Sequence, residues 1–399
     1  DSAEPAPAAA AAPAPPREGE PASGPAPPYA YPDQPAGGPA RGERVAPDEP
    51  ARPAPEQPEA PAPPPSDSGG AKAAPRAGGP ALRVGVVGGD QAAEAGFGAY
   101  LDAVNQAGGI GGRPLEAVPV TATGPAPAGT IATVNLSDAP IATAGGPPAW
   151  VQGPLLETLY APEALLAGRV FSFAGSPERQ AHLVADAVFP AEDSGATAVI
   201  YTGDQEPWAT LVPQALQAVL SRRGVTVETL PYDPSRPPAL LEPADAAFLS
   251  LDTQAAQTWL RQARVSGYRP ARGVAGIASL HDEALLGDLP EGARVISPYL
   301  LPAGPEGDAI RSSVEGQPSA ATLHGWASAK MLAVALWQSG ADTPDETLPA
   351  LEGLAGYDSG LAPPYETRPG TRSRTPEGVL VEVRSGAFVP QGGFRRDQF

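Results

Sequence analysis

Cysteine is absent from all 399 residues, which removes disulfides, thiol nucleophiles and thiolate metal ligands from consideration. Histidine is scarce: His182, His281 and His324 lie far apart and share no His-x-x-x-His spacing of the kind that binds zinc, so each reads as a surface or satisfied residue. Lysine occurs only at Lys72 and Lys330, and arginine supplies the other 24 of the 26 basic residues. Against these stand 45 acids, for a net charge of −19 that argues against nucleic acid or an anionic membrane surface as a partner. No run of 18 apolar residues exists, so no membrane-spanning helix is predicted. Catalytic signatures are missing as well: there is no G-x-S-x-G elbow, no Gly-Lys-Ser/Thr phosphate loop, and no carboxylate pair in a distinctive apolar setting. The chain is therefore not read as an enzyme, and no cofactor or metal is expected.

Proline is what the sequence has in excess, and it is unevenly spread. Residues 1–80 hold 23 of the 54 prolines, in runs such as "APAPAAAAAPAPP" and "PEAPAPPPSDSGG", with hardly a hydrophobic side chain larger than alanine. Such a segment buries too little apolar surface to offset its ordering entropy, and proline biases it toward extended polyproline II. It reads as a disordered Pro/Ala-rich spacer. It carries 11 acids and 6 bases, which leaves a net −14 on the remaining residues. The chain begins at Asp1 rather than Met, so removal of a targeting segment is expected. A spacer at a processed terminus suits a secreted or lipid-anchored protein outside the cytoplasm, touching the membrane only through the removed anchor.

From residue 81 the pattern changes. "LRVGVVGG" (82–89) is a buried strand, and a helix is predicted from Ala92 to Gln106, with Phe97, Leu101 and Val104 on one face. The stretch "GGIGG" (108–112) then follows a helix and precedes a strand, the reverse of a dinucleotide-binding fingerprint, so its glycines read as a helix stop and a tight turn. Strand-like and helix-like segments alternate almost to the end, which predicts parallel sheets with helices on both faces. "PLLETLYAPEALLAG" reads as one of the helices, whereas "TATGPAPAGTIATVNL" is too short and proline-rich for one. Pro213 falls awkwardly inside the helix that begins near Trp208, while Trp326 and Trp337 read as core or edge packing on the longest helix.

The succession "LRVGVVG", "AVNQAGGIGGRPLE", "RVFSFAGSPERQAHLVADAV", "ATAVIYTGDQEPWATLVPQAL", "TWLRQARVSGYRP" and "LPEGARVISPYLLP" resembles the type I periplasmic binding proteins of the branched-chain amino acid (leucine-binding protein-like) class, substrate-binding components of ABC transporters. "GWASAKMLAVALWQSGADTPDETLPALEGLAGYDSGLAPPYE" and "GVLVEVRSGAFVP" extend the resemblance over essentially all of residues 81–399. It implies an α/β fold of two Rossmann-like lobes with parallel sheets, joined by a three-strand hinge near Phe173–Gly175, Tyr299–Pro302 and Leu361. The first lobe is placed at 81–173 plus 301–360 and the second at 174–300 plus 361–399. The implied site is a small polar, amino-acid-like ligand held by the loop Thr143, Ala144, Gly145 and Gly146, by Tyr160 and by Trp208. Ala275 falls where relatives often carry an acid for the ligand ammonium, and Asp252 or Asp282 are the carboxylates that could substitute. Pro147 and Pro148 follow the glycine pair and have no N–H to offer. The function implied is solute capture by a monomer and delivery to an ABC permease. The alternative is a degenerate binding fold serving as a sensor or protein-interaction module.

Overall fold

The computed structural model describes residues 79–364 and 377–396, apart from positions 122, 125, 126, 144, 167, 237, 239–243 and 315. The predicted spacer therefore falls almost wholly outside the described residues. Two sheets organise the rest. The first is entirely parallel, in the order β2-β1-β3-β4-β5, from β1 (Leu82–Val87), β2 (Leu115–Pro119), β3 (Thr130–Asn135), β4 (Leu155–Leu156) and β5 (Val170–Phe171). The second runs β12-β11-β10-β9-β8-β6-β7. Its parallel strands are β6 (Thr197–Thr202), β7 (Thr226–Pro231), β8 (Ala246–Ser250), β9 (Val274–Gly276) and β10 (Arg294–Ser297). Antiparallel β11 (Glu377–Arg384) and β12 (Ala387–Pro390) extend it, and β13 (Arg395–Arg396) pairs with β11. The helices are α1 (Gln91–Gln106), α2 (Pro177–Val188), α3 (Leu211–Arg222), α4 (Thr253–Ser266), α5 (Glu283–Leu286), α6 (Pro305–Ser312), α7 (Ala320–Ser339) and α8 (Pro344–Glu352). Among the described residues no helix is long and apolar enough to cross a membrane.

The two sheets bury themselves differently. Alternation along the second sheet sends Ala198, Ile200 and Phe248 to the side of α2 and α3, and Val199, Ala247 and Leu249 to the side of α4, so helices cover both faces. In the first sheet, Leu156 and Phe171 face a core built with α1, α7 and α8. Leu155 and Val170 point the other way, into a small cluster closed by loop residues Ala142, Val151 and Leu166, with Trp150 packed against it. The expectation of helices on both faces thus fails for this lobe. The predicted helix over "PLLETLYAPEALLAG" is also absent: Leu155–Leu156 is a two-residue strand and Glu163–Leu165 a single 3-10 turn. Pro162 falls in the middle of the segment, where it withholds an N–H and clashes with the preceding turn of any helix running through it.

Other local expectations meet simple resolutions. The "GGIGG" stretch is a turn, closed by Ile110 and Arg113 backbone bonds and carrying positive φ at Gly108, Gly109, Gly111 and Gly112. Pro213 is the third residue of α3, in the first turn where a missing N–H costs nothing, so it delays the helix past Trp208 rather than breaking it. Trp326 is buried, whereas Trp337 is 60% exposed.

Helices α1 and α7 pack at very close range. A Cβ on Gly96 would lie 2.1 Å from the Thr322 carbonyl oxygen, and one on Gly325 would lie 1.9 Å from that of Ala93. The two helices therefore touch backbone to backbone. A Cβ on Gly98, in the same α1, would meet nothing within 4 Å. Gly96→Ala and Gly325→Ala are each expected to lower stability by about 1–3 kcal/mol through overpacking, whereas Gly98→Ala should raise it by up to ~1 kcal/mol through helix propensity. Urea unfolding of the three variants measures the contrast, and equal effects at positions 96 and 98 would refute the close contact.

Candidate ligand-binding cleft

Open α/β sheets bind ligands beyond the carboxyl ends of their strands. Here those ends carry four aspartates, two from each lobe. Asp90 follows β1 and caps α1, accepting from the Ala92 and Ala93 amides at 2.8 and 3.1 Å. Asp252 follows β8 and caps α4 through the Ala255 amide at 2.7 Å, and Asp282 follows β9 and caps α5 through the Ala284 amide at 2.8 Å. Asp138, after β3, caps no helix. Partial burial, followed by the charges of Asp90, Asp252 and Asp282, holds the Asp138 carboxyl above the usual range. Burial, together with Asp90, also raises Asp282. The hydroxyl of Tyr160 is pushed up first by burial and then by all four carboxylates, so charges from both lobes act on this one side chain. Among the described residues none of the four has a basic partner.

Tyr160 meets Trp208 edge to face, with centroids 4.8 Å apart at 66°, and both are buried. Tyr160 comes from the first lobe, and Trp208 lies between β6 and α3 of the second, fixed by Ser250, whose hydroxyl donates to the Trp208 carbonyl at 2.7 Å. The lobes thus seal part of the cleft with their own aromatics. An opening of about 570 Å³ is lined by Gln91 and Ala95 of α1, Asp282, Ser313, Ser319 and Thr322, and by neither aromatic.

The glycine loop behaves differently from the sequence expectation. The Thr143 amide donates to the Gly146 carbonyl, the Gly146 amide to that of Thr143, and the Gly145 amide to the Thr143 hydroxyl, at 2.8–3.3 Å. These three amides are spent inside the turn instead of facing a carboxylate, and Ala144 lies outside the described residues. Ala275 is a fully packed β9 residue, 1% exposed, and offers the cleft only apolar surface. What organises the loop is Glu157, which sequence reading missed. Its buried carboxylate accepts from the amides of Ile141, Ala142 and Thr158 and from Asn135 Nδ2, at 2.6–3.0 Å. The Thr158 hydroxyl also donates to the Ser137 carbonyl. Asp90, Asp252 and Asp282 each sit between a strand and a helix, an N-cap pattern visible in the sequence. Glu157, within an apolar run, gives no such sign.

A profile of the periplasmic binding proteins matches residues 85–387. The chain belongs to the periplasmic binding protein family. Solved structures agree on the fold. Leucine-binding protein LivK of Thermotoga maritima superposes with a TM-score of 0.64 at 13% identity, covering 79% of this chain and 99% of that one. LivJ of Streptococcus pneumoniae, in complex with isoleucine, gives 0.63 at 17% identity, over 79% and 100%. A fatty acid ABC transporter substrate-binding protein of Thermomonospora curvata gives 0.63 at 15%, over 80% and 93%. A sequence search of curated proteins finds no match.

The segments that pass between the two sheets are tied by a few side chains and one backbone bond. Buried Gln180 of α2 donates to the Gly175 carbonyl at 2.8 Å and accepts from the Ala278 amide at 3.0 Å, tying the first crossing to the exit of β9. The second and third crossings are joined by the Leu300 amide, which donates to the Leu361 carbonyl at 2.7 Å. Tyr299 and His324 share a hydrogen bond of 2.9 Å between crossing and α7. Lys330 of α7 donates to both Glu306 oxygens, at 2.7 and 2.8 Å, and to the Ser359 carbonyl at 2.8 Å, while Trp326 Nε1 donates to the same Glu306 at 3.1 Å.

Two outcomes follow for the cleft. Glu157→Gln places an amide against four donors and is expected to cost about 1–3 kcal/mol, with faster hydrogen exchange at residues 137–142; unchanged exchange there would mean the loop is held some other way. Asp138 has a folded pKa raised above its unfolded 3.8, so its ionisation in the fold costs stability, a cost absent below both values and growing as pH rises through them. Asp138→Asn should therefore raise Tm at pH 7 and leave it nearly unchanged at pH 3, as calorimetry at the two pH values can establish.

Proposed function

We propose that the chain is an extracytoplasmic solute-binding protein that captures a small amine-bearing ligand by lobe closure and passes it to an ABC permease. The observation that carries this reading is the placement of Asp90, Asp138, Asp252 and Asp282 after the strands of both lobes, with all four charges felt at the buried Tyr160 hydroxyl. Four acids with no basic partner among the described residues repel one another when the lobes approach, and a cation among them turns that repulsion into attraction across the cleft. Only a ligand that interacts differently with open and closed states shifts their balance, and a cation between the two sets of acids does so. The loop at 143–146, with its described amides already bonded, favours ligands whose recognition does not centre on a carboxylate. Amino acids remain in the class through their ammonium group, in keeping with the isoleucine held by the LivJ neighbour.

A second reading is a binding fold turned to sensing or protein interaction, and the Tyr160–Trp208 seal favours it, because a cleft already filled needs no solute to close. A thermal-shift series with 1,4-diaminobutane, L-arginine, L-leucine and acetate separates the two. The amine ligands are expected to stabilise the chain, by about 2.7 kcal/mol at one hundred times Kd, and Asp138→Asn should lose most of that response. A flat series would sink solute capture and leave the interaction module.

A further inference from the structure

His281 departs from its sequence reading as a surface or satisfied histidine. It follows β9 at the junction of the lobes, where its carbonyl accepts from the Ala320 amide at the start of α7, at 2.9 Å. The ring stands edge-on to Phe388 of β12, with centroids 4.6 Å apart at 82°. The residue is 7% exposed, and its Nδ1 is buried with no hydrogen-bond partner among the described residues. Burial pushes the imidazole down to about 4, so at neutral pH it is uncharged, with one nitrogen donating and the other accepting.

Beside it lies a cavity of about 380 Å³, within the range of small-ligand sites. Its walls are apolar: Leu300 and Leu301 of the second crossing, Leu323 of α7, and Val381 and Phe388 of the second lobe's antiparallel edge. Arg311 of α6 also lines it, with its side chain about half exposed and paired with Asp308 at 2.6 Å. The cavity shares only Gln317 with the opening between α1 and α5 and contains none of the four aspartates.

We propose that this hinge cavity is a second ligand site, which takes a small apolar monocarboxylate. The hydrocarbon part lies against the leucine wall, the carboxylate accepts from His281 Nδ1–H, and Arg311 supplies the opposite charge. A neutral alcohol of the same skeleton gains the wall but not the arginine. Because the walls come from both lobes and from a crossing between them, an occupant favours the lobe arrangement that shapes the cavity. The site is independent of the amine reading of the cleft.

Isothermal titration of the full chain with hexanoate, and with hexan-1-ol as the uncharged match, tests it. Hexanoate is expected to bind in the millimolar range or tighter, with hexan-1-ol at least tenfold weaker. His281→Phe removes the nitrogen, Leu323→Trp fills the cavity, and Arg311→Gln removes the charge. Each should weaken hexanoate at least tenfold while the circular dichroism spectrum stays that of the parent. Absence of hexanoate binding overturns the site, as does binding that survives both His281→Phe and Leu323→Trp. Equal binding of hexan-1-ol overturns the carboxylate assignment. Since none of these readouts uses an amine, failure here leaves the cleft reading standing, and a flat amine series leaves this one standing.

Discussion

The backbone contact between α1 and α7 is the constraint on which the remainder depends. With Gly96 and Gly325 facing the opposite helix's carbonyls, neither helix can slide along the other by a turn without driving a side chain into a peptide group. That register fixes everything α7 carries. Its start, at Ser319 and Thr322, borders the cleft opening, and Leu323 and His324 reach the hinge. Lys330 holds Glu306 and Ser359, and Met331 to Leu336 fill the first lobe's core. The same contact places the N-terminus of α1, and with it Asp90, at the cleft. One buried helix thus links the first lobe's core, the chain between the sheets and the opening at Ser319 and Thr322.

Much of this architecture is legible in the sequence because it rests on local periodicity. Strand β1, helix α1 and the turn after it are read from apolar spacing and glycine placement alone, and α1 begins one residue before the predicted Ala92. The failures come where tertiary context overrides local pattern. The leucines around Tyr160 have helical spacing, yet Pro162 and the pairing of β4 with β3 and β5 keep that stretch extended. Tyr160 and Trp208, chosen as candidates on opposite lobes, do come together, but against each other. Asp252 reaches the acidic group only as a helix cap, and Ala275 is core. Asp138, Glu157 and Gln180 escape sequence reading, since each owes its role to partners 15 or more residues away along the chain.

The acids at the cleft illustrate how one residue can serve two ends. Asp90, Asp252 and Asp282 satisfy amides at helix starts, where the helix dipole also favours negative charge. That local benefit tolerates the mutual repulsion among them. Asp138 has no such local role, and burial together with the charges of Asp90, Asp252 and Asp282 raises its carboxyl with no helix start to offset the cost. The first lobe shows a related economy: it gives up helices on one face and relies on the Glu157 carboxylate to hold loops in their place.

Lys330 has a practical meaning beyond the hinge. Apart from Lys72 in the proline-rich segment, it is the only lysine of the chain, and its ammonium is enclosed by three oxygens with the side chain 15% exposed. Among the described residues, amine-directed acylating reagents and crosslinkers therefore meet almost no surface amine. Any acylation found at Lys330 reports that Glu306 and Ser359 have let go, so the chemistry of one side chain becomes a built-in gauge of how often the segments around the hinge come apart.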